Sequence, residues 1–225
     1  MAIPKISKRL AAAAAFCRGN VRIADIGTDH AYLPIYLYMK GAATGGVVSD
    51  INCGPVERAR ENLAEYGCFD AFTLQCADGL CNVLSKDVDD IFILGMGGEL
   101  ITRIIRDEPS IENARYRLIL QPMTHPEAVR GYLYSKGFEI VAESVVEDDK
   151  LYQIICAEYT GNIQSADDFE LLFGKFNLKH PTSELYDLMK HVKIAYSDRI
   201  NGKLAAGVSC DYERYIIERI DKFSL

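Results

Sequence analysis

The sequence predicts an α/β fold in which a doubly wound, mostly parallel sheet of about seven strands precedes a small helical segment. Short apolar runs alternate with helical patterns over residues 1–137, and glycine, proline or aspartate bounds most of them. Two further runs, residues 138–146 and 151–159, have only a four-residue connector between them, which predicts an antiparallel hairpin. No strand pattern occurs from residue 161 onward, where apolar residues recur at helical spacing.

Length and composition fit one large domain with a small appendage. The chain has 225 residues, of which 49% are hydrophobic and 25% charged, as in ordinary globular proteins. No apolar run approaches the roughly 20 residues of a membrane span, and residues 11–16 are too short for a convincing signal peptide. We therefore expect a cytoplasmic protein that binds no membrane.

The seven cysteines are scattered, odd in number and without a Cys-x-x-Cys pair. This pattern is typical of reduced core residues in a cytosolic protein. We expect neither a disulfide nor a metal site among them.

The charge is unevenly distributed. A net charge of −7 disfavours nonspecific nucleic-acid binding by the whole surface. Residues 1–22 nevertheless carry five basic residues and no acidic one. This leader is either a docking arm for phosphate or a solvated helix face, and charge alone leaves both interpretations open.

The first elements surround one central strand. Residues 5–18 predict a helix because apolar residues recur at helical spacing and the alanines favour helix, and Gly19-Asn20 ends it. Residues 21–26 predict a buried strand. The next helix is predicted over residues 33–40, with Pro34 suited to its first turn.

The same alternation continues through the rest of the sheet. The predicted strands are residues 44–50, 72–76, 90–98 and 117–122, the last of them ended by Pro122, and the predicted helices begin at Asn52 or Pro55, at Glu99 and at Glu127.

The C-terminal part predicts two or three helices that form a hairpin or a short coiled coil. The expected breaks are residues 179–181 and Asn201-Gly202. We place the domain boundary between residues 160 and 161, which gives a sheet domain, residues 1–160, and a helical domain, residues 161–225.

The central strand runs into a turn at Gly27, and a helix follows. A strand, a glycine turn and a helix N-terminus form a nucleotide-sized site. Asp25 and Asp29 make this turn acidic, which argues against phosphate and favours a ligand that is positively charged or rich in hydroxyls. Asp50 ends the next strand, where an acid reaches ribose hydroxyls. S-adenosylmethionine has a sulfonium, an amino group and a ribose, so the pattern favours a methyltransferase.

Two later strand ends supply further candidates. Asp78 can accept a hydrogen bond from an adenine amine while Leu80 packs on the base, although Asp-Gly is also common in plain turns. Three glycines around Met96 let the backbone approach a ligand, and Met96 can lie against a ring.

Three motifs carry a family resemblance: Asp25-Ile26-Gly27-Thr28-Asp29-His30-Ala31-Tyr32-Leu33-Pro34, Gly95-Met96-Gly97-Gly98 and Leu118-Ile119-Leu120-Gln121-Pro122. Together with Ser7-Lys8-Arg9-Leu10 and the helical C-terminal part, they resemble the bacterial tRNA (adenine(22)-N1)-methyltransferases. The segment Asp-His-Ala-Tyr is the most specific piece. One departure is Met123, where the family tends to have Asn after Gln-Pro; it predicts altered substrate contacts or weaker activity.

The resemblance implies a Rossmann-like fold, S-adenosylmethionine as cofactor and methylation of N1 of adenine 22 in the D-loop of tRNA. It implies that Asp29 is catalytic, by stabilising or deprotonating the cationic product; the alternative is that Asp29 only caps the following helix. The implied cofactor contacts are Asp25, Gly27, His30, Asp50, Ile51, Asp78, Gly79, Leu80, Gly95, Met96, Gly97 and Gly98. The implied substrate contacts are Arg9, Tyr32, Gln121 and Pro122. The resemblance also places Arg9 and its basic neighbours on tRNA phosphates, together with Lys175, Lys179, Lys190 and Lys193. We expect no metal, and a monomer or weak homodimer.

Other function classes remain open. A methyltransferase that acts on a small molecule or a protein needs no basic surface, and its helical tail would serve as a dimer interface or lid. Met123 keeps open a cofactor-binding module without catalysis. A nicotinamide-dependent oxidoreductase is disfavoured, because the first turn lacks the third glycine and places Asp29 where pyrophosphate would lie.

Overall fold

A computed structural model of the chain, which describes residues 2–223, contains one seven-stranded sheet in the order β3-β2-β1-β4-β5-β7-β6. Strands β1 to β5 are parallel, and β7 runs antiparallel to both β5 and β6. The predicted doubly wound sheet with a terminal hairpin is therefore confirmed. The strands are β1 Val21–Ile26, β2 Ala43–Asp50, β3 Phe72–Cys76, β4 Asp90–Gly97, β5 Arg117–Thr124, β6 Phe138–Glu147 and β7 Leu151–Tyr159.

Helices cover both faces of the sheet. Apolar residues of α1, α2 and α3 pack on one face and those of α4 and α5 on the other. None of the helices in residues 2–223 combines the length and apolarity that a membrane crossing requires. The helices are α1 Lys8–Ala14, α2 Tyr32–Met39, α3 Cys53–Glu65, α4 Gly98–Arg106, α5 Pro126–Ser135, α6 Asp168–Phe173, α7 Lys175–Lys179, α8 Ser183–Ala205 and α9 Asp211–Phe223.

Strand register brings the candidate residues to one edge of the sheet. β1 pairs with β2 on one side and with β4 on the other, so the turns after all three strands lie side by side. Asp50 pairs with Cys76 at the ends of β2 and β3, which brings Asp78 next to the same edge. The carboxyl edge of a parallel sheet is the usual position for a ligand site.

The first helix is shorter than predicted. It begins after Ser7, whose hydroxyl accepts a hydrogen bond from the Leu10 backbone N–H at 3.3 Å, and it ends at Ala14. Past its end, the backbone N–H of Arg18 donates to the buried Asp90 carboxylate at 2.7 Å, and its guanidinium pairs with that carboxylate at 2.6 Å. This anchor diverts the chain from the helix, and it removes Arg18 from any phosphate-docking arm.

Pro122 does not end β5, so that prediction is wrong. The strand continues to Thr124, and its pairing with β4 shifts register where Met96 lies opposite Pro122. Proline is tolerated at such an irregularity because no ladder hydrogen bond is required from its nitrogen.

The prediction of seven reduced core cysteines is also wrong. Cys53, the first residue of α3, and Cys76, the last of β3, form a disulfide with a Cα–Cα distance of 5.3 Å. Cys81 is a free thiol but exposed, whereas Cys68 and Cys156 are free and buried. The sequence does not indicate this pair, because the two cysteines are 23 residues apart and come close in space only when β2 and β3 align.

Four helices form the C-terminal part of the described chain. α8 and α9 run antiparallel and are joined by ion pairs of Lys203 with Glu213, at 2.6 Å, and of Lys193 with Asp221. α8 passes unbroken through Asn201-Gly202, so the predicted break there is wrong. The domain boundary after residue 160 stays a prediction.

A buried ionic cluster joins these helices to the sheet. The guanidinium of Arg130, in α5, donates to Glu143 of β6 at 2.7 Å and to Gln153 of β7 at 2.7 Å. It also donates to the Leu171 carbonyl of α6 at 2.8 Å, and Glu143 accepts from the Phe176 backbone N–H of α7 at 3.2 Å. Arg130 is completely buried, so the cluster fixes α6 and α7 against the sheet.

Candidate functional site

Two cavities open at the carboxyl edge of the sheet, and Gly27 lines both. The larger cavity, of about 350 Å³, is lined by Arg9, Leu10, Asp25, Gly27, Thr28, Asp29, His30, Ala31, Tyr32, Leu33, Leu94 and Gly95. The smaller cavity, of about 140 Å³, is lined by Ile26, Gly27, Asp50, Ile51, Ala77, Asp78, Gly79, Met96, Leu100, Arg103 and Ile104.

The turn after β1 needs glycine for two reasons. Gly27 has φ +78°, which L side chains rarely adopt, and a Cβ there would overlap the terminal methyl of Met96. Met96 therefore packs across the turn and closes one side of the smaller cavity. The two motifs that the sequence analysis identified at Gly27 and Met96 form one structural unit.

Asp25 is a buried carboxyl in the larger cavity, with 8% of its surface exposed. The pKa of Asp25 is raised to about 6: burial is the main cause, a hydrogen bond with the Thr28 side chain opposes the rise, and the charge of Asp50 adds to it. An ammonium group in the cavity would stabilise the ionised carboxylate. Asp25 is thus suited to a cationic ligand.

The start of α2 faces the same cavity. Ala31, at the cap position, has φ 54° and no side-chain cap, while its N–H donates to the Thr28 hydroxyl oxygen at 3.1 Å. Asp29 therefore does not cap the helix. The first N–H groups of a helix lack intrahelical partners and carry partial positive charge. The cavity combines an anion, Asp25, with this positive helix end, as the zwitterionic end of an amino acid requires.

Asp29 lies at the open side of the larger cavity, with 63% of its side chain exposed. Its Oδ1 accepts hydrogen bonds from the Arg58 guanidinium, and its Oδ2 lies 3.2 Å from His30 Nε2. The Arg58 hydrogen bond lowers the pKa of Asp29. The His30 ring stacks on Tyr32 with centroids 5.6 Å apart, so an aromatic surface borders the carboxylate. The sequence analysis missed Arg58, which is 29 residues from Asp29.

The smaller cavity has two carboxylates at its edge. Asp50 Oδ1 accepts a hydrogen bond from the Asn52 backbone N–H at 2.7 Å, which fixes the carboxylate at the strand end. Both Asp78 oxygens accept from the Arg103 guanidinium at 3.0 Å. The sequence analysis missed Arg103, and no pattern in its helix distinguishes it from Arg106. Leu80, by contrast, is 2% exposed, packs in the core and does not line this cavity, although it lines the neighbouring cavity of about 230 Å³ with Asp78.

Gln121 and Pro122 do not line the larger cavity, because both are buried in β5. The Gln121 side-chain oxygen accepts from Arg9 Nη1 at 2.5 Å and from the Gly95 N–H at 3.1 Å. Its amide group donates to the Pro122 carbonyl at 2.9 Å. Gln121 therefore holds Arg9 and the β4 end in place, and Arg9 is the residue that reaches the cavity.

Gly97 and Gly98 support the site rather than line it. They form the junction between β4 and α4, and a Cβ on Gly98 would overlap the His125 carbonyl oxygen. Met123, which stands where the resembling family tends to have Asn, has 45% of its surface exposed.

The lysines of the tail are largely engaged within the protein. Lys190 pairs with Asp187 at 2.8 Å, Lys193 pairs with Asp221, and Lys175 donates to the Ser165 carbonyl at 2.5 Å. Across the described range, residues 2–223, no group of three or more His, Cys, Asp or Glu side chains is placed to hold a metal ion.

Comparison with known proteins agrees with this geometry. A family described as "Methyltransferase domain" matches residues 6–155. The curated tRNA (adenine(22)-N(1))-methyltransferase of Bacillus subtilis (strain 168) is 33% identical over 171 residues, which are 76% of this chain and 72% of that protein.

Solved structures extend the similarity to nearly the whole chain. The B. subtilis M1A22 tRNA methyltransferase TrmK superposes with a TM-score of 0.82 at 27% identity, covering 98% of this chain and 96% of the other. TrmK of M. capricolum, solved with S-adenosyl-homocysteine, gives 0.79 at 25% identity over 97% and 96%. A Streptococcus pneumoniae protein in complex with S-adenosyl-L-methionine gives 0.86 at 29% identity over 97% and 99%.

Proposed function

The chain belongs to the tRNA (adenine(22)-N1)-methyltransferase family, and from this premise we propose that it transfers a methyl group from S-adenosylmethionine to N1 of adenine 22 in tRNA. The observation that carries the proposal is the arrangement around Gly27. The smaller cavity, with carboxylates for a nucleoside, and the larger, open cavity, for the methionine part and the target base, adjoin at this turn.

The residues present fit S-adenosylmethionine. Asp25 and the start of α2 match the amino and carboxylate groups of its methionine part. Asp50, with Ile51 beside it, is suited to the ribose hydroxyls, and Asp78 to the adenine amine. When bound, the cofactor supplies a methyl group on a positively charged sulfur.

Asp29 is suited to charge stabilisation at the substrate. Adenine N1 has a lone pair, so the enzyme mainly has to align it with the methyl group. Methylation of N1 leaves the base cationic until a proton leaves N6. Because Arg58 lowers the pKa of Asp29, the carboxylate stays ionised and can stabilise that positive charge, whereas the same lowered pKa makes it a weaker acceptor for the N6 proton.

Arg9 and Tyr32 are the proposed substrate contacts. Arg9 uses one guanidinium nitrogen on Gln121 and lies over the Tyr152 ring at 5.4 Å, which fixes its direction into the larger cavity. Tyr32, 39% exposed and stacked with His30, offers a surface for an unstacked base. Adenine must leave its stack in tRNA, at a cost of roughly a few kcal/mol.

The remaining assignments belong to the same proposal. Residues 1–160 form the catalytic domain, and residues 161–225 form a helical domain that extends the tRNA-binding surface. tRNA is the partner, and the cytoplasm is where an enzyme of this kind meets it. We leave the choice between monomer and weak homodimer to a sedimentation measurement.

Incubation with labelled S-adenosylmethionine and unmodified tRNA tests the proposal. Nucleoside analysis should detect 1-methyladenosine, and a transcript with guanine at position 22 should receive no label. Label transfer to a small molecule or protein, with RNA absent, would instead support the alternative methyltransferase class. Label in neither case would support a cofactor-binding module without catalysis.

Arg9→Ala refines this test, with Arg60→Ala as matched control because Arg60 is likewise a helical arginine over an aromatic ring, pairs with Glu57 and lines neither cavity. Arg9→Ala should weaken tRNA binding and leave cofactor affinity unchanged. Equal loss of both affinities would contradict the assignment of Arg9 to substrate.

A further inference from the structure

An arginine that is not part of the sequence motifs forms one wall of the smaller cavity. Arg103 lies in the second turn of α4 and contributes its side chain to this cavity and to a neighbouring cavity of about 230 Å³. Asp78 lines the same two cavities. The ion pair of Arg103 and Asp78 is therefore part of the boundary between them, together with Gly79 and Ile104.

The contact between the two side chains is bidentate. Arg103 Nη1 donates to Asp78 Oδ2 and Nη2 donates to Oδ1, both at 3.0 Å. A planar guanidinium opposite a planar carboxylate fixes both the position and the rotation of the carboxylate. Arg103 Nη1 lies 3.7 Å from Asp107 Oδ2, one turn along the helix, which holds the guanidinium on this side of α4.

The bidentate contact with Arg103 leaves Asp78 able to accept further hydrogen bonds. An ionised carboxylate has about four lone-pair sites, and the two Arg103 hydrogen bonds use one on each oxygen. Hydrogen bonding from Arg103 lowers the pKa of Asp78, so the group is an anion at neutral pH. A third donor can therefore reach Asp78 from the side of the smaller cavity.

We propose that Arg103 is a positioning residue for adenine recognition: it fixes the Asp78 carboxylate so that a free lone pair accepts from the exocyclic amine of the cofactor. Preorganisation of this acceptor reduces the entropy lost on binding. The inference rests on the proposed assignment of Asp78 to the adenine, and it adds the residue on which the selectivity of Asp78 depends.

The test compares two ligands by calorimetry: S-adenosylhomocysteine and its 6-deamino analogue, in which a hydrogen replaces the exocyclic amine. The wild-type chain should prefer S-adenosylhomocysteine by about 10- to 100-fold, as expected for one hydrogen bond to a charged acceptor. Arg103→Met should reduce this preference to less than about threefold. Arg103→Lys, which keeps the charge and loses the fork, should show an intermediate preference.

Two further variants distinguish positioning of Asp78 by Arg103 from a general effect of losing an arginine on ligand binding. Arg106→Met is the matched control, because Arg106 lies in the same helix, pairs with Asp107 and lines neither cavity. It should keep the wild-type preference. In an Asp78→Ala background, Arg103→Met should change the preference no further, since Arg103 acts through Asp78. An exposed ion pair adds little to stability, so these variants should fold.

Three results would overturn the inference: an unchanged preference in Arg103→Met, an equal loss of affinity for both ligands, or tighter binding of S-adenosylhomocysteine. The last would mean that Arg103 obstructs the cavity. Failure of the wild-type chain to bind S-adenosylhomocysteine would instead contradict the proposed function, so the two failures are distinguishable.

Discussion

Replacement of Asp25 by Asn should stabilise the free protein while it weakens cofactor binding. In the folded state, burial is the main cause that raises the pKa of Asp25 from 3.8 to about 6, so ionisation costs more free energy than in the unfolded chain, although the carboxylate still predominates at neutral pH. Such a rise corresponds to at most about 3 kcal/mol of lost stability above pH 6. Asn removes the charge but keeps an acceptor for the Thr28 hydroxyl.

The sign of the pH dependence follows from the raised pKa. A carboxyl that binds its proton more tightly when folded costs stability above its folded pKa, and this cost disappears as the pH falls from about 6 towards 3.8. Urea unfolding at pH 7.5 should therefore find Asp25→Asn more stable than wild type by up to about 3 kcal/mol. The difference should shrink towards zero near pH 4.

Cofactor affinity should be reduced by the same substitution that stabilises the free protein. If the ionised Asp25 holds an ammonium group, wild-type affinity for S-adenosylhomocysteine should fall about tenfold from pH 7.5 to pH 5, where about one tenth of the carboxyl is ionised. Asp25→Asn should bind weakly at both pH values, with no such dependence. Calorimetry at the two pH values measures both effects.

Two results would refute this reasoning. One is a variant less stable than wild type at pH 7.5, which would mean that the carboxylate is stabilised within the free protein. The other is a wild-type affinity that stays constant down to pH 5, which would mean that Asp25 does not titrate on binding.

Three other predictions concern separate parts of the chain. Asp29→Ala should reduce turnover at least about 100-fold and keep the affinity for S-adenosylhomocysteine within about tenfold, since the carboxylate acts on the base; retained turnover would remove Asp29 from the mechanism. Arg130→Met should lower the free energy of unfolding by about 3 to 5 kcal/mol in urea titrations, because it leaves Glu143 as an unpaired buried charge; a loss below about 1 kcal/mol would contradict the buried cluster. Thiol titration of the denatured, unreduced protein should find five thiols, and seven would contradict the Cys53–Cys76 bond.

The backbone could be predicted from the sequence because its signals are local. β1 and β3 have the predicted bounds, and the hairpin of β6 and β7 follows from two apolar runs with a short polar connector. The exceptions arise from distant partners. α1 ends early because Arg18 is bound by Asp90, 72 residues away.

The site was predictable where it coincides with strand ends. Asp25 and Asp50 lie at the carboxyl ends of β1 and β2, and Asp78 follows β3, so topology alone brings them to one edge. Arg58 and Arg103 could not be predicted in the same way. Their partners lie 29 and 25 residues away, and an arginine on an amphipathic helix is ordinarily a solvated surface residue.

The buried cluster around Arg130 has a consequence for how a large substrate is accommodated. A movement of α6 and α7 away from the sheet would expose the buried Arg130–Glu143 ion pair to solvent and break its hydrogen bonds to the Leu171 carbonyl and the Phe176 N–H. The cluster therefore holds α6 and α7 in a defined position relative to the sheet. A large substrate that contacts both the sheet edge and these two helices would meet them as one preformed surface.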